Sequence, residues 1–185
     1  GDNCPIDWDV YVVCDPAITF APTSSAAPTG APVVVTVNYL ADDLGTDGGD
    51  CTDGSSTCTL RRAMMNGMDS QGLWVVELPG GIYTWNAGAQ VTVTGTMRLE
   101  SSDGEPVVID GDGNGQKFVM VDGGRLEVGD GVVFRNFEVC TDSYSDPCYG
   151  GVFNVKNGGE LVMGDRVEVR GRCGWRGFED ESCGG

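Results

Sequence analysis

The chain repeats a short pattern, and this internal periodicity limits its fold more than any other feature. The string Arg98–Gly104 (RLESSDG) returns 27 residues later as Arg125–Gly131 (RLEVGDG). The string Gly124–Asp130 (GRLEVGD) returns 35 residues later as Gly159–Asp165 (GELVMGD), and the eight extra residues match an insertion in the cysteine-flanked loop 140–148. Short repeats bury their apolar sides only by stacking on one another. The pattern therefore predicts stacked parallel coils.

Parallel stacking brings equivalent side chains of neighbouring repeats within about 4.8 Å of one another. We expect Leu99, Leu126 and Leu161 to form one inward ladder, with Arg98 and Arg125 in phase on the outer face. An antiparallel sandwich also has short strands and many turns, but it does not explain the repeated phase.

Short apolar runs separated by glycine-containing turns predict an all-β fold. The expected strands are Val33–Val37, Leu73–Leu78, Val91–Val93, Met97–Leu99, Val107–Ile109, Phe118–Val121, Leu126–Val128, Val132–Val139, Val152–Val155, Leu161–Met163 and Val167–Val169. The one helical pattern is Leu60–Met68, with Thr59 as its N-cap.

The eight cysteines fall into four close pairs separated by polar intervals, which is typical of disulfide-closed loops. The predicted disulfides are Cys4–Cys14, Cys51–Cys58, Cys140–Cys148 and Cys173–Cys183. A zinc site is disfavoured because the chain has neither a CxxC motif nor a histidine. We therefore expect a secreted or cell-surface protein. Gly1 in place of Met fits removal of a signal peptide, or a fragment of a longer protein.

The charge balance excludes several classes of function. With 11 Lys and Arg against 28 Asp and Glu, the formal charge is −17, which repels phosphate backbones and argues against nucleic acid as a partner. The absence of histidine excludes triads with an imidazole base and His-ligated zinc or haem sites. No run of 18 apolar residues is present, so we expect no membrane span.

The segment Asp42–Cys51, followed by Cys58–Asn66 (CTLRRAMMN), resembles the CSLREA module, in which an acidic loop precedes a C-S-L-R-E-A-I string. That module precedes right-handed parallel β-helices in secreted and cell-surface proteins. The later repeats resemble those of pectin-lyase-like and polymorphic outer-membrane proteins, so the resemblance covers roughly residues 33–173. It implies a right-handed parallel β-helix (solenoid) with a short N-terminal capping helix and disulfide-closed loops. Arg62 stands where the family has glutamate, so the capping box with Thr59 is lost.

These patterns divide the chain into four segments. They are a small disulfide-closed segment (1–20), a Pro/Thr/Ser-rich linker (21–32), the CSLREA-like cap (33–71) and β-helix coils with a C-terminal disulfide loop (72–185). The linker offers candidate O-glycosylation sites at Thr23, Ser24, Ser25 and Thr29, although a plain semi-extended linker explains its composition. The first segment offers a strand-like strap for a neighbouring subunit at Val10, Tyr11, Val12 and Val13.

Two acidic clusters are candidate calcium sites. Asp110, Asp112 and Asn114 match the opening of a calcium loop, but Val121 stands where the twelfth position needs a carboxylate. The same string resembles a structural corner of pectin-lyase-like β-helices, and that interpretation is favoured. The second cluster consists of Asp42, Asp43, Asp47, Asp50 and Asp53, for which a solvated loop is favoured. We expect no cofactor, and calcium is the one ion considered.

Catalysis on a polysaccharide would need two carboxylates facing one groove. The first suspects are Asp103, Asp110, Asp112 and Asp130. Asp-Gly is also ordinary turn chemistry, so we expect no catalytic residue. The aromatic residues Trp74, Tyr83, Trp85 and Trp175 suit sugar stacking, but packing is favoured for single aromatics in strands.

The sequence thus predicts an extracellular structural or adhesive building block, a subunit of a larger cell-surface or filamentous assembly, and not an enzyme. The expected partners are further copies of the chain or other extracellular proteins, with glycans as a further class. The alternative is a pectin-lyase-like enzyme acting on a polysaccharide as a hydrolase, lyase or epimerase.

Overall fold

The computed structural model describes residues 30–42, 50–52, 57–86, 90–113, 118–138 and 152–172. This part of the chain is mostly β-structure with one short helix, α1 (Leu60–Gly67). The strands are β1 (Val33–Thr36), β2 (Leu73–Leu78), β3 (Gly81–Thr84), β4 (Val91–Val93), β5 (Thr96–Ser101), β6 (Val107–Asp110), β7 (Val119–Asp122), β8 (Arg125–Val128), β9 (Val132–Glu138), β10 (Phe153–Lys156), β11 (Glu160–Met163) and β12 (Glu168–Arg172).

The strands form three parallel sheets. Sheet A has the order β1-β2-β5-β8-β11, sheet B the order β3-β6-β9-β12, and sheet C the order β4-β7-β10. From β2 onward, successive strands enter sheets A, B and C in turn, so each repeat adds one strand to each sheet. The predicted parallel pairing is confirmed, and the antiparallel sandwich is excluded.

Alternating side chains of all three sheets meet in one buried core. In sheet A one inward row runs Val33, Trp74, Met97, Leu126 and Leu161 across five strands. The row is most completely buried in the middle strands of sheet A, where Met97 of β5 and Leu126 of β8 are fully buried.

The register of sheet A differs from the prediction by two residues. Leu99 of β5 pairs with Val128 of β8, and Leu126 pairs with Met97, so the ladder of Leu99, Leu126 and Leu161 is wrong at its first member. A shift of two keeps every side chain on its predicted face, because side chains alternate with period two. It also places Arg98 opposite Glu127, not in phase with Arg125.

Glycine allows a close approach at the corner between sheets C and A. A Cβ at Gly124 would lie 2.6 to 2.7 Å from backbone atoms of Val93, Thr94 and Gly95 in the preceding repeat. At the same corner the Arg125 N–H donates a hydrogen bond to the Gly95 carbonyl of the preceding repeat. A side chain at position 124 would therefore force neighbouring repeats apart.

The helix α1 begins as predicted at the N-cap Thr59, whose side chain accepts a hydrogen bond from the Arg62 N–H. Its inner face buries Leu60, Ala63 and Met64 against the end of the core. Arg62 Nη1 donates to the Thr57 carbonyl at 2.8 Å. The helix therefore covers an end of the core without a capping box.

Only some sequence predictions fall on described residues. The Cys51–Cys58 disulfide is confirmed. The three other cysteine pairs, the linker Thr and Ser residues, the strap Val10–Val13 and Trp175 lie outside the described residues. Within the described part of the chain, no helix has the length and apolarity needed to cross a membrane.

Candidate functional site

Asp110, a candidate both for calcium binding and for catalysis, lies at the end of β6 and binds the neighbouring repeat. One carboxylate oxygen accepts from Arg135 Nε at 2.8 Å, and the other accepts from Asn136 Nδ2 and the Asp112 N–H, both at 3.0 Å. Partial burial alone would raise the pKa of Asp110, but these hydrogen bonds outweigh it and hold the pKa below its usual range. Both oxygens are thus engaged by donors, which does not suit a calcium ligand.

Asp112 and Asn114 complete the candidate calcium loop in the sequence. Asp112 is exposed in a left-handed conformation (φ 53°), and Asn114 lies outside the described residues. Among the described residues, no group of three or more His, Cys, Asp and Glu side chains is arranged to hold a metal ion.

Asp103 closes the turn after β5. Its carboxylate accepts from the Gly80 N–H at 3.0 and 3.1 Å and from the Glu105 N–H at 3.0 Å, and the Ser101 hydroxyl donates at 3.3 Å. These bonds, the Gly80 N–H first among them, hold the pKa of Asp103 below its usual range. The nearby Tyr83 hydroxyl donates to the Pro79 carbonyl, and burial, with a smaller effect of Asp103, raises its pKa to about 12.

Asp130 and Asp122 bind the following repeat in the same way. Asp130 accepts from the Asp165 N–H at 2.8 Å. Asp122 accepts from Asn157 Nδ2 at 2.6 Å and lies 3.3 Å from Lys156 Nζ, and the Asn157 bond is the main reason that its pKa is lowered. Asp103 and Asp130 bind turns on opposite sides along the sheets. Asp103 accepts from the preceding repeat, whereas Asp130 accepts from the following one.

Replacing Asp110 with asparagine is expected to lower the free energy of unfolding by about 1–2 kcal/mol at pH 7, since charge-assisted hydrogen bonds are weakened. Because the folded pKa is lowered, this stability is present above the unfolded pKa of about 3.9 and is lost as the pH falls through the folded value. Urea unfolding at several pH values should therefore show the wild type and Asp110→Asn converging in acid. The control Asp112→Asn, at an exposed position, should have the smaller effect at every pH. A difference that stays constant with pH would contradict this assignment.

A buried ion pair near α1 was not predicted. Asp42 Oδ2 lies 2.6 Å from Arg61 Nη2, and the two side chains are 1% and 2% exposed. The Asn86 N–H donates to Asp42 at 2.9 Å, Arg61 donates to the Asn86 carbonyl at 2.8 Å, and the guanidinium lies 3.9 Å from the centre of the Trp85 ring. The solvated-loop interpretation is therefore wrong for Asp42. No sequence signal distinguished Asp42 from the other acidic residues of its loop, because the burial of Arg61 is visible only in the tertiary structure.

The aromatic candidates for sugar stacking are core residues. Trp74, Tyr83 and Trp85 are all at least nine-tenths buried. Trp74 also donates to the Ala63 carbonyl of α1 at 3.0 Å. The packing interpretation is confirmed for these three.

The outer face of sheet A carries a ladder of alternating charges. Arg98 Nη2 lies 2.6 Å from Glu127, Arg125 Nε lies 2.8 Å from Glu127, and Arg125 Nη1 lies 2.5 Å from Glu160. Burial would raise the pKa of Glu127, but hydrogen bonds from the two arginines outweigh it and lower that pKa. Both arginines are thus paired within the chain, and the ladder is not a free cationic surface.

Comparisons with protein families, with curated proteins and with solved structures found no match for this chain. The candidate site therefore stands on geometry alone: acidic side chains bind neighbouring repeats, and a buried ion pair fixes the cap.

Proposed function

We propose that the chain is an extracellular structural or adhesive building block, folded as a right-handed parallel β-helix with a CSLREA-like cap. The cyclic entry of strands into sheets A, B and C supports the β-helix, since a solenoid adds one strand per face in each coil. The Cys51–Cys58 disulfide supports an oxidising, extracellular compartment.

One observation carries the structural role. The carboxylates that an enzyme of this kind would use are engaged in holding repeats together, as shown by the bonds to Asp103, Asp110 and Asp130. A general acid needs a raised pKa, whereas the pKa values of Asp103 and Asp110 are lowered. The acidic residues therefore serve to hold the repeats in place. The protein serves as a rod in a larger cell-surface or filamentous assembly.

A polysaccharide panel tests this proposal against the enzyme alternative. Neutral and uronate polymers, with and without calcium, are incubated with the wild type, and reducing ends, unsaturated products and epimerised sugars are measured. We expect no turnover. Turnover that is lost in Asp110→Ala but kept in Glu168→Ala, an exposed acidic residue of β12, would make the protein an enzyme and end the structural proposal.

A further inference from the structure

The two ends of the sheets differ. At the first end sheets B and C are covered, because the Leu40 carbonyl accepts from Thr84 in sheet B and the Met68 carbonyl accepts from Thr94 and Gly95 beside sheet C, whereas sheet A ends in strand β1. We call this the cap end. At the other end, no strand of the described residues follows β10, β11 or β12, and we call it the open end.

In sheets A and B the core is less completely buried at the open end. Leu126 and Val128 of β8 are at most 2% exposed. Their neighbours Leu161 and Met163 in β11 are only partly buried, as are two valines in and beside β12, Val167 and Val169. Inward apolar side chains that stay partly exposed indicate a missing layer at this end.

The cap end offers the matching apolar surface. The large apolar side chains that are exposed among the described residues all lie within residues 33–82: Val33, Val34, Tyr39, Leu40, Met65, Met68 and Ile82. β1 also has an unpaired edge among the described residues, so its backbone can accept a further parallel strand.

The rows of sheet A show how the two ends fit. The outward row runs Val34, Val75, Arg98, Glu127 and Val162, with valine at both ends and a paired Arg98–Glu127 in the middle. Continuing the register past β11 brings Val34 of a second copy beside Val162. It also brings that copy's inward Val33 and Val35 beside Leu161 and Met163.

The charges at the open end do not oppose this contact. Glu160 is paired with Arg125, Lys156 with Asp122, and Arg170 with Glu168. What opposes it is the net charge of −17, which makes two copies repel each other over long range. Association should therefore strengthen when salt screens that repulsion.

We propose that copies of this chain stack head to tail, with the cap end of one on the open end of the next and β1 added in parallel to β11. This contact joins two different surfaces and does not close on itself, so it extends into a filament. The inference rests on the proposed function and names the partner of that building block as the chain itself.

Sedimentation velocity of the full 185-residue chain over a concentration series, at low salt and at about 0.5 M NaCl, tests the proposal. We expect elongated oligomers that grow with concentration and with salt. Val162→Lys and Val34→Lys, each checked for wild-type circular dichroism, should weaken self-association about tenfold or more, because each replaces an apolar valine–valine contact at the junction with a charged lysine, which opposes pairing at a strand edge. The matched control is Val108→Lys, an outward valine in β6 at the middle of sheet B, which should associate as the wild type does.

Three outcomes would overturn the stacking. They are a wild type that stays monomeric in all conditions, oligomers unaffected by Val162→Lys, and protection from hydrogen exchange, in the monomer, of those β11 amides that face away from β8. The last would show that residues 1–29 or 173–185 of the same chain cover the open end. These outcomes are independent of the polysaccharide assay. Sedimentation can therefore refute head-to-tail stacking while the structural role still holds, whereas turnover of a polysaccharide would refute the structural role.

Discussion

Replacing Asp42 with alanine is expected to lower the free energy of unfolding by about 3–5 kcal/mol, because it leaves the buried Arg61 without its carboxylate. The loss should be larger than that of an ordinary hydrogen bond, since the Asn86 N–H loses its acceptor as well. Urea unfolding at pH 7, followed by circular dichroism, measures it.

Two comparisons identify the cause. Glu168→Ala breaks an ion pair with Arg170 whose side chains are 48% and 69% exposed, and it should cost less than about 1 kcal/mol. Combining Asp42→Ala with Arg61→Met removes the orphaned charge and should recover part of the stability. A loss in Asp42→Ala no greater than that in Glu168→Ala would mean that the pair is not buried in solution.

The position of this ion pair gives it a role beyond stability. Asp42 lies two residues after Leu40, which covers the edge of β3, and Arg61 lies on the helix that closes the core. Losing the pair should therefore loosen the cap end and uncover strand edges, which recruit other strands. Asp42→Ala should consequently aggregate more readily than a core variant of equal stability.

The repeat predicted the parallel architecture but not its register. Identical strings place Arg98 level with Arg125, which would put like charges side by side on one face. The observed pairing shifts by two residues, so that Arg98 meets Glu127. Opposite charges across neighbouring strands are favourable and like charges are not, and this preference outweighs the identity of the strings.

Other features gave too weak a signal for prediction. The strand β3 (Gly81–Thr84) was missed because its four residues include only two large apolar side chains, Ile82 and Tyr83, too few for an alternating pattern. The burial of Asp42 was missed for a different reason. The five acidic residues of its loop cannot be told apart by composition. Only the tertiary contact with Arg61 distinguishes Asp42 from the others.

Replacing Phe118 with alanine is expected to lower the free energy of unfolding by about 3–5 kcal/mol, since the fully buried ring leaves a large cavity. Its ring centre lies 4.6 Å from that of Trp85, 5.2 Å from Phe134 and 6.0 Å from Phe153. Trp85 lies in the repeat before that of Phe118, and Phe134 and Phe153 lie in the repeat after it, so the ring joins three successive layers of the core.

The matched control is Met120→Ala in β7, the strand that begins directly after Phe118, where the side chain points outward and is partly exposed, and the cost should be about 1 kcal/mol or less. In a stacked fold each repeat is stabilised mainly by its neighbours, so losing the central ring should also uncouple the halves of the core. We therefore expect Phe118→Ala to show a broader urea transition with a smaller m-value, whereas Met120→Ala keeps the wild-type slope. Equal losses in the two variants would contradict the assignment of Phe118 to the core, and an unchanged slope in Phe118→Ala would show that the repeats stay coupled without this ring.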